Sequence, residues 1–244
     1  MITINAEMKL GDLTGAIQRQ AQAAMRNAVQ FTAHEVRVGL REEAKLVFDK
    51  PTPFTLSRTT VVSGDGGLAA TVRLLDSGKY LNPQIVGGSR PWKRFEFLLG
   101  RAGVLPQGMY AIPTRYARMD AFGNMSRGQI VQILAWFSAN GANSRRQNMT
   151  DANRAKRAAG TRRQAGYEYI AIQRKEGGFT PGVYEINHFA AGTAIRPVLI
   201  FVRTPMYRQR WDFSGVGKRV ALEKFGKNFA RALKNSMEGW RPVA

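Results

Sequence analysis

The chain has no cysteine, which excludes disulfides, thiolate zinc centres and cysteine nucleophiles together. Histidine is nearly as scarce. His34 and His188 are the only two in 244 residues, too few for most histidine-built metal or catalytic sites. Acidic residues are outnumbered, 17 Asp and Glu against 37 Lys and Arg, leaving a net charge of +20. That imbalance calls for a polyanionic neighbour, nucleic acid first and an acidic protein surface second. Long apolar runs are missing too. The strongest, Val198-Leu199-Ile200-Phe201-Val202, is far too short to cross a bilayer. The start, Met1-Ile2-Thr3-Ile4-Asn5, has no basic stretch ahead of an apolar one, so neither a secretory signal nor a membrane partner is expected.

Familiar catalytic signatures are broken where they begin. His34-Glu35 opens like a zinc protease helix, but Val38 stands where the second histidine belongs. Gly215-Val216-Gly217-Lys218 resembles the end of a phosphate-binding loop, yet Arg219 replaces the magnesium-holding hydroxyl and Asp212 the first glycine. The glycines of Ser63-Gly64-Asp65-Gly66-Gly67 precede a strand pattern, not a helix whose amides could cradle phosphate, and read as a turn. No enzyme, cofactor or metal is expected.

What is present is the material of a core. Hydrophobic residues make up 44% of the chain, enough for a globular protein of one large or two small domains. Residues 13–48 read as one helix, with Leu13, Ile17, Ala21, Ala24, Ala28, Phe31 and Val38 on one stripe. Glu35 falls inside that stripe, where a carboxylate needs an arginine partner or an opening toward a subunit interface. Pro51 and Pro53 stop the helix, and a stiff extended exit should pin Phe54 on the core. Residues 59–62 and 68–74 read as a hairpin, 80–85 as an extended segment, and 92–99 as a short helix presenting Trp92, Phe95, Leu98 and Leu99.

The densest stretch is 108–137. Met109-Tyr110-Ala111-Ile112 is strand-like and meets Pro113, Asp120-Ala121-Phe122-Gly123-Asn124 is a turn, and Ser126 caps a helix carrying Ile130, Ile133, Leu134 and Phe137. It reads as a buried structural hub flanked by Phe122 and Trp136, and truncating either aromatic should cost about 3–5 kcal/mol. Residues 138–166 change character: Arg145, Arg146, Arg154, Lys156, Arg157, Arg162 and Arg163 face only Asp151. So basic a segment reads as an excursion, with a frayed helix at 151–159, that is mobile or ordered by DNA or an acidic partner. Residues 167–173, 183–188 and 196–203 form an antiparallel meander. In the final helix, 217–237, Leu222, Phe225, Phe229, Leu233 and Met237 lie opposite a basic row of Lys224, Lys227, Arg231 and Lys234. The expected fold is α+β: long N- and C-terminal helices on antiparallel sheet. Residues 1–137 and 167–244 belong to one domain, with 138–166 as the basic excursion.

Three clusters carry a resemblance: Phe54-Thr55-Leu56 after Pro51-Thr52-Pro53, then Trp92-Lys93-Arg94-Phe95-Glu96, then the run from Asp120 through Gly123 and Ser126 to Ile130. With Gly178-Phe179-Thr180-Pro181-Gly182-Val183-Tyr184-Glu185, they resemble minor tail and tail-completion proteins of tailed phages and prophages, the lambda Z-like group. The resemblance spans roughly residues 10–235 and lies in turns and core positions. It implies a structural protein of the virion neck, assembled in the host cytoplasm as a ring of several copies around the DNA channel. Its partners would be a tail terminator or tail tube protein, the head–tail connector, and packaged DNA. The alternative is a non-specific DNA-binding protein whose charge is its function. In either case the seven cations of 138–166 and the four of the last helix are the expected DNA-facing or interface residues.

Overall fold

The computed structural model describes residues 1–6, 15–141 and 148–238. In chain order its elements are strand β1 (Ile2–Asn5), helices α1 (Gly15–Val47) and α2 (Pro53–Leu56), strands β2 (Thr59–Gly64) and β3 (Ala69–Leu74), helix α3 (Asn82–Val86), strand β4 (Gly88–Ser89) and helix α4 (Arg94–Arg101). Strand β5 (Tyr110–Pro113), helices α5 (Arg127–Trp136) and α6 (Asp151–Ala159), strands β6 (Gly166–Ile172), β7 (Gly182–Phe189), β8 (Gly192–Val202) and β9 (Met206–Tyr207), and helix α7 (Phe213–Glu238) follow. The fold is α+β, with long first and last helices and antiparallel sheets. It divides into two compact units, Met1–Gly88 with Arg208–Ala244, and Ser89–Tyr207. These boundaries fall inside the segments 1–137 and 167–244, because each unit closes a core of its own.

In the first unit the sheet runs β1-β3-β2. The β2–β3 hairpin forms where the sequence places it, with Gly66 and Gly67 at positive φ in the turn, a conformation cheap only for glycine. The sequence reading has no counterpart of β1, a short edge strand pairing Ile2 with Val72. Helix α1 buries Val29, Ala33, Val36, Leu40 and Ala44 in one cluster with Ala70 and Val72 of β3. The stripe that meets the sheet is therefore turned by about 150° from the expected one. Ala21, Ala24 and Ala28 are buried, but Ile17, Phe31 and Val38 are exposed. Apolar residues occupy more than one face of this helix, and the sheet selects the face bearing Val36 and Leu40. Leu13 lies outside the described residues.

Asp212 stands just before α7 and its Oδ1 accepts from Gly215 N at 2.8 Å, so the residue that spoils the phosphate-loop pattern is a helix cap. Small residues let neighbours approach: a Cβ at Gly39 of α1 would lie 2.9 Å from Val220, and one at Gly217 would overlap Ile2. Val216 and Ala232 are buried and Val220, Ala221 and Phe225 pack on the core, whereas Leu222 and Met237 of the expected packing row are exposed. Glu35 meets an amide instead of an arginine. Asn228 Nδ2 donates to Glu35 Oε2 at 2.7 Å and lies 3.1 Å from Thr32 Oγ1, and Arg231 donates to Asn228 Oδ1 at 3.1 Å.

Two further expectations fail in this unit. Pro51 and Pro53 do end α1, but Thr52 Oγ1 accepts from Thr55 N at 3.1 Å and caps α2 with Pro53 at its first position. Phe54 is consequently exposed, under the Arg58 guanidinium at 3.9 Å, and not on the core. Residues 80–85 are helical, not extended: a 3-10 turn, Asp76–Leu81, runs into α3, where Pro83 sits in the first turn and its missing N–H costs nothing.

In the second unit the sheet order is β5-β8-β7-β6, antiparallel throughout, so the expected meander forms. Strand β8 is central and buries Val198, Leu199 and Phe201. It accommodates Pro197 at a register shift opposite Val183 and Tyr184, a bulge that spares the ladder a donor proline lacks. Leu99 of α4 and Ile133, Leu134 and Trp136 of α5 complete this core, with Trp92, Phe95 and Leu98 packed against it.

Candidate functional site

Strand β5, the turn and α5 occur where the sequence puts them, and Ser126 caps α5 by accepting from Gln129 N at 3.3 Å. The turn itself is not buried. Tyr116, Met119 and Phe122 are 41%, 46% and 41% exposed, which overturns the expectation that Phe122 is a core aromatic. Trp136 is buried as expected. The loop 114–126 that carries the three apolar side chains outward is braced along its length. Thr114 N donates to Val198 O at 3.0 Å, and the Thr114 hydroxyl donates to the Pro197 carbonyl. Asp120 N donates to Asn124 O at 2.7 Å, while Asp120 Oδ1 accepts from Phe122 N and Asn124 N, both at 2.9 Å. Gly123 supplies the positive φ of 75° that the tip requires. Ser126 N closes the loop on Arg118 O at 2.6 Å.

Two carboxylates, the partly buried Glu185 and the fully buried Glu96, anchor this region. Glu185 accepts from Tyr169 at 2.9 Å and from Gln129 Nε2 at 3.1 Å, and Gln129 Oε1 accepts from Arg118 N at 2.7 Å. The loop is thereby tied to the sheet through a buried amide. Burial and then the Glu185 charge push the Tyr169 hydroxyl well above its ordinary range, so it stays protonated and donates. Glu96, with no exposed surface, accepts from Arg90 at 2.6 and 2.7 Å, from Lys93 N at 2.6 Å and from Ala111 N at 2.9 Å. Burial pushes its carboxyl up. The guanidinium and the two backbone N–H groups outweigh burial and hold it below the ordinary value. A glutamate three residues before Leu99 on a short amphipathic helix was the available sequence signal for this anchor, and the sequence reading passed over it.

The expected basic residues separate into kinds. Arg145 and Arg146 lie outside the described residues. Arg154 turns inward: its Nε donates to Trp136 O at 2.9 Å and its Nη2 to Ser138 Oγ at 2.7 Å, and it pairs with Asp151. It is a strut, so the expectation that it faces DNA or a partner fails. Residues 148–166 are likewise docked by their own chain and not an excursion. Thr150 caps α6, α6 packs on β6, and Gly166 passes so close that a Cβ there would overlap the Ala158 carbonyl oxygen. Lys156 and Arg157 face a cavity, and Arg162 and Arg163 are exposed in the turn between α6 and β6. On α7, Lys224 pairs with Glu223 at 2.8 Å, which holds its ammonium above the ordinary value. Arg231 is bonded to Asn228 and stands 5.4 Å from the Phe31 ring, Lys227 is exposed, and Lys234 borders an apolar hollow with Leu233 and Met237.

The cavity beside Lys156 and Arg157 measures about 550 Å³. Met149 and Tyr167 contribute its apolar lining, and Asn153 and Gln164 bring amides to it. Sequence reasoning missed these four because they come from α6, the loops on either side of it and β6, and meet only when α6 docks. Among the described residues, no group of three or more His, Cys, Asp or Glu could hold a metal, and no helix is long and apolar enough to cross a membrane. No family model matches the chain, and no characterised protein or solved structure matches it.

Proposed function

We propose that this chain is a non-enzymatic structural protein of a tailed-phage virion, a tail-completion or minor tail protein of the neck. In this reading it joins the end of the tail to the head connector as a ring around the DNA channel. Its neighbours are other copies of itself, a tail terminator or tail tube protein, and the connector. The observation that carries the reading is the loop 114–126. A braced loop that turns Tyr116, Met119 and Phe122 to solvent is suited to docking on another protein, since it presents apolar anchors with little ordering left to do on binding. It also contains Asp120 through Ser126, part of one of the four segments on which the resemblance to tail-completion proteins rests. The net charge of +20 suits a protein assembled against DNA or acidic partners.

The test is negative-stain imaging of particles made with Met119→Ser/Phe122→Ser. Both side chains are exposed, so the subunit should fold and circular dichroism should be unchanged. Separated heads and tails are expected, and complete joined particles would refute the reading. A second reading, a non-specific DNA-binding protein, is favoured by the charge and by Lys156 and Arg157, which have no partner among the described residues. It requires duplex affinity that falls steeply with log salt, and a flat salt dependence would remove it.

A further inference from the structure

We propose that the cavity between α6 and β6 is a binding site for a nucleoside phosphate unit, with the phosphate held by Lys156 and Arg157 and the base lying toward Tyr167. The proposal goes beyond the assembly reading and needs no partner protein.

The lining is one-sided in charge. Lys156 and Arg157 border the cavity, and among the described residues no carboxylate does. The nearby acids are engaged elsewhere, Asp151 with Arg154 and Glu168 with His188 at 2.9 Å. Neither cation has a hydrogen-bond or ion-pair partner among the described residues, so a phosphate would meet two charged donors without displacing a partner. The cations are also placed by structure: Thr150 caps the helix that bears them, Arg154 bolts its first turn to Trp136 O and Ser138, and Gly160 and Gly166 bring its end against β6.

The rest of the lining suits a flat, polar-edged group. The Tyr167 ring is held by Trp136 at 6.3 Å and Tyr169 at 5.6 Å, so it offers a fixed surface of the kind on which bases stack. The Asn153 and Gln164 side-chain amides have no partner among the described residues, and each can both donate to and accept from a base edge. A volume of about 550 Å³ lies in the range of small-molecule and cofactor pockets. It excludes the width of a duplex, so the unit comes from a free nucleotide or from a single strand.

The experiment is calorimetric titration of the isolated full chain with deoxyadenosine 5′-monophosphate, inorganic phosphate, a short single-stranded oligodeoxynucleotide and a polyglutamate peptide. Saturable one-site binding of the mononucleotide or the oligonucleotide, tighter than that of phosphate, is expected. A mononucleotide bound as tightly as the oligonucleotide makes the free nucleotide the source, and an oligonucleotide bound alone makes it the strand. Lys156→Ala/Arg157→Ala should weaken binding by about tenfold or more. Asn153→Ala/Gln164→Ala should bring the nucleotide down to the affinity of phosphate, and Lys224→Ala/Lys227→Ala on α7 should change nothing. All substituted side chains are at least partly exposed, and circular dichroism checks that each variant folds. The proposal is overturned by no saturable binding of either nucleic-acid probe, by polyglutamate binding equally well, or by an equal loss from the α7 variant. Because no particle is involved, failure here leaves the neck reading standing, and failure of particle assembly leaves this site standing.

Discussion

The first unit is closed by apolar packing: Val29, Val36, Leu40 and Val72 have no exposed surface, and its buried polar residues are the uncharged Thr32, Thr59 and Asn228. The second unit buries a carboxylate, Glu96, together with Gln129 and Asn140. Buried charge demands partners at fixed positions, and here Arg90, Lys93 N and Ala111 N supply them. The cations differ in the same sense. Lys224 and Arg231 of the first unit are engaged by Glu223 and by Asn228, whereas Lys156 and Arg157 of the second border an open cavity. The difference teaches that charge counts alone do not locate a polyanion site. A cation already answered by its own chain has little left for a ligand.

The comparison can be broken most directly at Glu96. Glu96→Ala leaves Arg90 without its partner and should cost about 3–5 kcal/mol. Hydrogen exchange should show lost protection in β8 but not in α1, and equal losses in both would mean that the units are not independently held. Leu40→Ala is the mirror experiment. It should cost about 2–5 kcal/mol, with the loss read in α1 and β3 and not in β8.

Acid sharpens the contrast. The folded-state carboxyl of Glu96 is lowered from an ordinary value of 4.5, so its stabilisation is complete above that value and fades as pH falls through the lowered one. Protection in the second unit should therefore drop as pH falls below 4.5, and Glu96→Gln should flatten that slope. Arg154→Ala removes the donors to Trp136 O and Ser138 and should cost about 1–3 kcal/mol, visible as faster proteolysis around α6. The smallest effect is expected for Phe122→Ala. At an exposed loop tip it should shift stability by no more than about 0.5 kcal/mol, and a loss as large as that of Glu96→Ala would return Phe122 to the core.

Local signals in the sequence determined much of this protein. The period of α1, the glycines of the β2–β3 turn, the Ser126 cap and the alternation in β6 through β8 are each written within a few residues, and each element forms there. Composition likewise determined the charge. Tertiary structure alone decided which face of each element is used. Phe31 and Val38 were as apolar as Val36, but the sheet covers one side of α1 only. Phe122 was aromatic like Trp136, but the hydrogen bonds of Asp120 turn it outward. Among the cations, Arg154 and Arg157 lie three residues apart on one helix and do opposite things: one reaches the Trp136 carbonyl and the other faces the cavity. Spacing along a chain fixes angles around a helix axis. What stands at each angle is set by non-local packing, which sequence distance does not encode.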